Sequence, residues 1–288
     1  MSDAPTPNAG ALILVGTPIG NLGDLSPRAI EILTTADVIA AEDTRRARSL
    51  LSHLGIPAAG RLRSVPAHDE VGRAAGIVEL VAGGARVAFT SDAGMPAISD
   101  PGAVLVRACV DAGLAVEVIP GPDAVTTALV VSGLATDRFT FFGFLPRKGR
   151  ERRDDLATIA GAAVTSVIYE SPRRVRATLA DLVDACGPDR PAALARELTK
   201  LHEEVRRGSL AQLVAALGDD DPRGECVLLV GATAADTEAP DAEVVDAAIV
   251  ECLARGASTR DAAAEVSTRF GIARRGVYER ALTLSRGR

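Results

Sequence analysis

The segment TSDAGMPAISDPG (Thr90–Gly102) gathers residue types that hold a small polar ligand on main-chain groups. Gly94 and Gly102 let the backbone approach closely, Pro96 and Pro101 stiffen it, and Asp92 and Asp100 supply two carboxylates. A loop of this length at a strand end is costly unless it holds something. Exposed amides beside carboxylates suit a zwitterion that carries both an amine and a carboxylate. IPGPDA (Ile119–Ala124) is a second stiff turn, and together the two predict a cleft between sheet-based units. GTPIGNLGD (Gly16–Asp24) has glycines without GxGxxG spacing, and Pro18 stands where a helix would start. Taken alone it reads as an ordinary strand-to-helix turn. There is no GxxxxGK[ST] phosphate loop, and the three histidines and four dispersed cysteines offer no metal-ligand spacing.

Strands must carry these loops. ALILVG (Ala11–Gly16), VIAAED (Val38–Asp43), RVAFTS (Arg86–Ser91) and AVEVIP (Ala115–Pro120) are short apolar runs of strand character. Between them, Ser26-Pro27 opens a helix to about Thr35, and Thr44 can cap a second that Gly55 and Pro57 stop. Further helices are expected at about Asp69–Ala82 and Ala103–Ala112. Such alternation implies a mainly parallel sheet covered on both faces, with ligands beyond the strand carboxyl ends.

The second half changes rhythm. A helix over Asp123–Ser132 precedes FTFFGF (Phe139–Phe144), whose rings could stack on bases beside Arg147, Lys148 and Arg150 but are expected mostly to pack as a buried strand. SVIYES, a Ser171-Pro172 helix to near Gly187, a hairpin-like PAALARELT…EEVRRGS, helix Leu210–Leu217 and ECVLLVGA follow. TAADTEAP (residues 233–240) reads as a linker. In the tail, Val244, Val245, Ala248, Ile249, Cys252 and Leu253 recur at helical spacing to Gly256. Ser258 or Thr259 caps RDAAAEVSTRF, Gly271 turns the chain, and ARRGVYERALTL makes a third helix. The last two fit a helix-turn-helix or a plain three-helix packing module equally well.

Composition bounds the function. The 288 residues carry a net charge of −6 and are 47% apolar and 24% charged, which excludes intrinsic disorder. No stretch is long and apolar enough to span a membrane, and MSDAPTPNAG has no signal-peptide character, so a reduced cytoplasm is expected. Global acidity argues against a protein that coats nucleic acid. Yet Arg138–Arg153 holds six cationic residues against one Glu, and Arg255–Arg288 eight Arg against three acids. Two such patches point to an anionic partner.

The runs LVGTPIGNLGDLSPRA, AEDTRR, TSDAGMPAISDPG, IPGPDA, YESPRR and RELTKLHEE, collinear from about residue 11 to 232, resemble the small-subunit rRNA ribose-2′-O-methyltransferases of the tetrapyrrole methylase superfamily. The helical tail also resembles that family's C-terminal domain. The chain departs from the pattern at Val65-Pro-Ala-His-Asp-Glu70, where an aromatic start and His-Asn-Glu are more usual. The resemblance implies an α/β fold of two α/β domains with an S-adenosylmethionine cleft between them and a small all-helical C-terminal domain. The expected boundaries are 1–120, 121–232 and 241–288. It implies methylation of a cytidine ribose in 16S rRNA, free or in the 30S subunit, by a cytoplasmic homodimer without metal or membrane.

Carried onto matching positions, Thr17, Pro18, Ser91, Asp92, Ala93, Gly94, Met95, Pro96 and Ile98 line the methionine side of the cofactor. Pro120, Gly121, Pro122, Asp123 and Ala124 form its floor, and Tyr169, Glu170 and Ser171 approach the adenosine. Candidate bases for the 2′-hydroxyl are Asp100, Glu42, Asp43 and Glu170, with Asp100 first because its loop reaches the methyl. Lys200 and Arg196 are expected to orient the hydroxyl or hold a phosphate, and Lys200, His202 and Glu203 read equally as an exposed turn. Glu42, Asp43, Arg45, Arg46, Arg147, Lys148, Arg150, Arg274 and Arg275 are the expected RNA contacts. Two rivals stand beside this reading: a porphyrinoid methyltransferase, and a helix-turn-helix regulator that reads DNA through Arg274 and Arg275.

Overall fold

The computed structural model describes residues 10–218, 222–233, 242–270, 272 and 274–286; the leader, nearly all of the expected linker and Gly271 lie outside the described residues. The chain divides into two compact units, one up to Thr233 and one beyond it.

The first sheet is built from β1 (Ala11–Val15), β2 (Val38–Ala41), β3 (Leu62–Ser64), β4 (Arg86–Thr90) and β5 (Ala115–Ile119), in the order β3-β2-β4-β1-β5. All four pairings are parallel, as crossover helices require. Alternation along β1 sends Ala11, Ile13 and Val15 into one apolar cluster with α1 (Pro27–Thr35) and α2 (Thr44–His53). Leu12 and Leu14 go to the other face, against α3 (Glu70–Ala82) and α4 (Ala103–Asp111). Ser26 caps α1 as expected, its hydroxyl accepting the Ala29 N–H at 3.2 Å. Two expectations need correction. The residue that caps α2 is Asp43, not Thr44, with Oδ1 accepting from the Arg45 N–H at 2.8 Å. And β3, a three-residue edge strand that is largely exposed, carries no apolar alternation by which sequence could announce it.

The second sheet has β6 (Phe139–Phe144), β7 (Thr165–Glu170), β8 (Pro191–Arg196), β9 (Glu204–Ser209) and β10 (Cys226–Val230), ordered β6-β7-β10-β8-β9. Only β6 and β7 run parallel; the rest pair antiparallel, and β8–β9 is the expected hairpin. One face packs on α6 (Arg150–Ala160), α7 (Pro172–Cys186) and α8 (Leu210–Leu217), the other on α5 (Ala124–Ser132). The expected buried aromatic strand is corrected too. At the sheet edge, Phe141 and Phe142 are half-buried on opposite faces, while Phe139 and Phe144 are exposed.

In the second unit, α9 (Ala242–Ala254), α10 (Thr259–Phe270) and α11 (Arg274–Arg286) close around Ala248, Ile249, Cys252, Ala263, Val266, Val277 and Ala281. Ser258 is the residue at the head of α10, its hydroxyl accepting the Asp261 N–H at 3.2 Å.

Candidate active site

Because the first sheet is parallel, the loops after β1, β2, β4 and β5 all leave its carboxyl edge. Thr17 and Gly94 exchange both backbone hydrogen bonds, at 2.9 and 3.0 Å, which staples the first turn to the Thr90–Gly102 loop. Gly16 meets Gly121 main chain to main chain, and a side-chain carbon on Gly16 would lie 2.7 Å from Gly121 Cα. The Gly121 N–H points at the Met95 sulfur, 3.3 Å away. Within the loop, Ala97 (φ 71°) and Ser99 (φ 60°) adopt the left-handed conformation that side chains disfavour. Such residues cost roughly 1–3 kcal/mol each and persist only where the surroundings over-determine them. Here the Ala97 N–H bonds to the Pro101 carbonyl at 3.0 Å, and buried Glu70 grips the end of the loop. Glu70 Oε1 accepts from the N–H groups of Gly102, Val104 and Leu105 at 2.8, 3.0 and 3.2 Å, capping α4.

A cavity of about 360 Å³ opens between these loops and the second sheet. Of the residues expected around a cofactor, Asp92, Ala93, Gly94, Met95, Ile98, Ala124, Tyr169, Glu170 and Ser171 line it, as does Asp100. Thr17, Pro18, Ser91, Pro96, Pro120, Gly121 and Pro122 do not; Thr17 and Gly121 act behind the wall through the contacts just described. Ser91 is likewise buried, its hydroxyl bonded to the Ala93 carbonyl at 3.2 Å. Sequence reasoning missed Ile19, Ser99, Pro172 and the Glu225-Cys226-Val227 end of β10, while Asp123 from the expected floor and Phe144, weighed for base stacking, also line the cavity. Asp123 also caps α5, accepting the Val125 N–H at 2.8 Å. Nothing in ECVLLV signals that its first residues face a cavity.

Carboxylates dominate the electrostatics. Burial, then the negative charges of Glu42, Asp92 and Glu225, push the Asp100 carboxyl up to about 6, against a lowering pull from the Ser91 hydroxyl. Glu42 is raised as well, by burial and by Asp92; its Oε2 accepts the Asp92 N–H at 3.3 Å. Arg46 reaches Asp92 at 3.4 Å and joins the cavity wall. Burial and the nearby Asp123 and Asp100 also raise the Tyr169 hydroxyl.

The other proposed bases and cations are tied down. The Glu170 carboxylate accepts from the Ser171 N–H at 2.8 Å and Thr178 Oγ1 at 2.6 Å, and Arg174 lies at 3.3 Å. It is a wall group with its lone pairs committed. Asp43 is held below the usual carboxylate range by hydrogen bonds from Arg45. Lys200 does not line the cavity: its ammonium binds Glu197 at 2.9 Å and Glu225 at 3.1 Å. Burial alone would lower that ammonium, but hydrogen bonds to the two acids raise it instead. Arg196 turns to Glu204 at 2.5 Å, His202 is exposed, and Glu203 accepts the Thr199 N–H at 2.6 Å.

Among the expected RNA contacts, Arg147 and Lys148 are exposed with no ion-pair partner among the described residues, whereas Arg150 pairs with Asp154 at 3.4 Å. Arg45 is exposed beside Asp43; Arg274 meets the Arg260 carbonyl at 3.5 Å, and Arg275 pairs with Glu279 at 3.1 Å. Arg152, counted in the basic run, is buried against Asp181 at 2.6 Å and leaves that patch.

Residues 11–214 match the family model of the Tetrapyrrole (Corrin/Porphyrin) Methylases. The chain belongs to this family. Residues 238–285 match a second model, the RsmI C-terminal HTH domain. Among curated relatives, the chain is similar to "Ribosomal RNA small subunit methyltransferase I" of Mycobacterium tuberculosis, 46% identical over 96% of this chain and 95% of the relative. It is also similar to the protein of that name in Escherichia coli O157:H7, at 40% identity over 95% of each chain. Among solved structures, uroporphyrin-III-C-methyltransferase from Thermus thermophilus superposes with a TM-score of 0.55 at 25% identity, covering 77% of this chain and 94% of that one.

Membership brings the methyl donor of the tetrapyrrole methylases, S-adenosylmethionine. The residues present suit it. The cavity has the size of a small-molecule site, and its carboxylates Asp92, Asp123 and Glu225 complement a cationic sulfonium and amine. Behind the cavity wall, the Gly16–Gly121 contact brings the first and last loops of the first sheet together main chain to main chain.

Proposed function

We propose that the chain transfers a methyl group from S-adenosylmethionine to the ribose 2′-hydroxyl of a cytidine in 16S rRNA. In this reading it works in the cytoplasm, on the RNA or the 30S subunit, as a homodimer. The near full-length similarity to proteins named for the small ribosomal subunit supports the RNA class of substrate. The observation that carries the chemistry is Asp100. Among the described residues it is the cavity carboxylate left with neither a cation nor a backbone N–H on it.

When bound, S-adenosylmethionine supplies a methyl carbon already activated by sulfonium charge. What remains for the protein is alignment and proton removal. Met95, Ala124 and Tyr169 would hold the donor, with Asp92 and Glu225 opposite its positive groups. Asp100, raised toward neutrality, accepts the proton from the 2′-hydroxyl as its oxygen attacks, then releases it to water.

Tritium transfer from labelled donor tests this. Label should enter 16S rRNA of 30S subunits from a strain lacking the enzyme, in a nucleotide whose 3′ linkage resists alkali. Label in a porphyrinoid instead supports the biosynthetic rival, and no label with tight DNA binding supports the regulator.

A further inference from the structure

β6 carries a one-residue bulge beside the cavity. Its register with β7 runs Phe141↔Val167 and then Phe144↔Tyr169, so three steps on β6 match two on β7. Since side chains alternate with period two, an extra residue flips everything after it to the opposite face. Phe142 packs into the core on the α6–α8 side. Without the bulge Phe144 would follow it there; with the bulge it joins Phe141 on the other face. Both rings meet Tyr169 edge-on, at 4.9 Å for Phe141 and 5.6 Å for Phe144. Gly143 makes the bulge possible at φ 63°, and a side-chain carbon there would lie 3.3 Å from Ser99 Oγ of the first-sheet loop.

The outcome is a large aromatic ring on the cavity wall that remains 55% exposed. The chain after it is pinned. Leu145 returns to the core, Arg174 donates to the Leu145 carbonyl at 2.7 Å, and Arg152 donates to the Pro146 carbonyl at 2.9 Å. That rigid exit delivers Arg147 and Lys148 to solvent. A fixed, half-exposed ring with free cations a few residues on is the arrangement by which single-stranded nucleic acid is held, bases on aromatic faces and phosphates on cations.

We propose that Phe144 is a nucleobase platform: it stacks on the base attached to the methylated ribose, while Arg147 and Lys148 hold neighbouring phosphates. This rests on the ribose-methylation reading above. Stacking there would fix the sugar at the cavity mouth, which explains why the ring is displayed and not packed away.

The test compares full-length wild type, Phe144→Leu and Phe144→Trp. It uses 30S subunits lacking the modification as RNA substrate and S-adenosylhomocysteine as the calorimetric probe of the cofactor cleft. Phe144→Leu should lower kcat/KM for 30S roughly tenfold and weaken 30S binding similarly, with Phe144→Trp restoring most of the loss. S-adenosylhomocysteine affinity should stay within about twofold of wild type, and the salt slope of RNA binding should change only for the Arg147→Ala/Lys148→Ala double variant. Unchanged kcat/KM for Phe144→Leu on subunits that wild type labels overturns the platform alone. Lost S-adenosylhomocysteine affinity in Phe144→Leu also overturns it, by assigning the ring to the cofactor. Subunits that wild type cannot label overturn the methylation reading itself and the platform with it.

Discussion

Glu70 Oε1 accepts the Gly102 backbone N–H at 2.8 Å, joining the start of α3 to the end of the loop that carries Asp100. With Val104 and Leu105 also donating, one buried carboxylate satisfies the amides that open α4 and closes a loop with two left-handed non-glycine residues. Glu70→Leu removes three hydrogen bonds from buried amides and should destabilise the fold by about 2–3 kcal/mol. In a unit of this size that lowers Tm by roughly 4–12 °C. Glu70→Gln, which keeps an acceptor oxygen, should recover most of the loss. Thermal denaturation checks both, and S-adenosylhomocysteine calorimetry should show affinity falling in step, since the loop lines the cleft.

The raised Asp100 carboxyl has a signed consequence for activity. As the base it must be ionised, so kcat/KM should rise with pH through about 6 and then level off. Asp100→Asn should lower kcat by roughly 10²–10⁴-fold and flatten that limb while leaving donor affinity largely intact. A pH–rate profile for each protein decides it.

The same shift affects stability in the opposite sense. The folded value of about 6 lies above the unfolded value of 3.8, so the folded state binds the proton more tightly. The carboxylate therefore destabilises the protein above about pH 6, and the penalty disappears as pH falls below 3.8. Asp100→Asn should raise Tm at pH 7.5, and the gain should shrink steadily toward pH 4. A Tm series against pH measures this.

Lys200 separates a positioning role from a chemical one. Its ammonium is shared by Glu197 and Glu225, so it holds a cavity carboxylate and takes no proton from substrate. Lys200→Gln should reduce kcat less than tenfold while weakening donor binding modestly through a freed Glu225. A kcat loss of 10² or more with unchanged donor affinity would instead return Lys200 to the chemistry.

Arg152 and the Arg147–Lys148 pair lie in one basic run but should respond oppositely. Arg152→Ala removes a packed side chain and its hydrogen bonds to the Pro146 carbonyl and Thr178 hydroxyl, and should cost about 1–2 kcal/mol, seen as a lower Tm. Arg147→Ala/Lys148→Ala should leave Tm unchanged and reduce the salt slope of RNA binding by up to about 2. Filter binding at several salt concentrations, beside thermal melts, distinguishes them.

Local chemistry made much of this legible. The runs that became β1, β2, β4 and β5 are apolar stretches ended by Gly, Pro or Asp, and helix starts show at Ser26-Pro27, where the hydroxyl caps, and at Ser171-Pro172, where the proline alone sets the first turn. The Thr90–Gly102 loop could be singled out for the same reason: its glycines, prolines and carboxylates are neighbours in sequence. Tertiary structure alone decided what depends on distant partners. The Lys200 ammonium is held by Glu225 across 25 residues, Glu225 reaches the cavity beside the second sheet, and Glu70 finds its amides across 32 residues. The direction of Phe144 turned on a single extra residue at a sheet edge, where register is set by the neighbouring strand and not by the ring's own hydrophobicity.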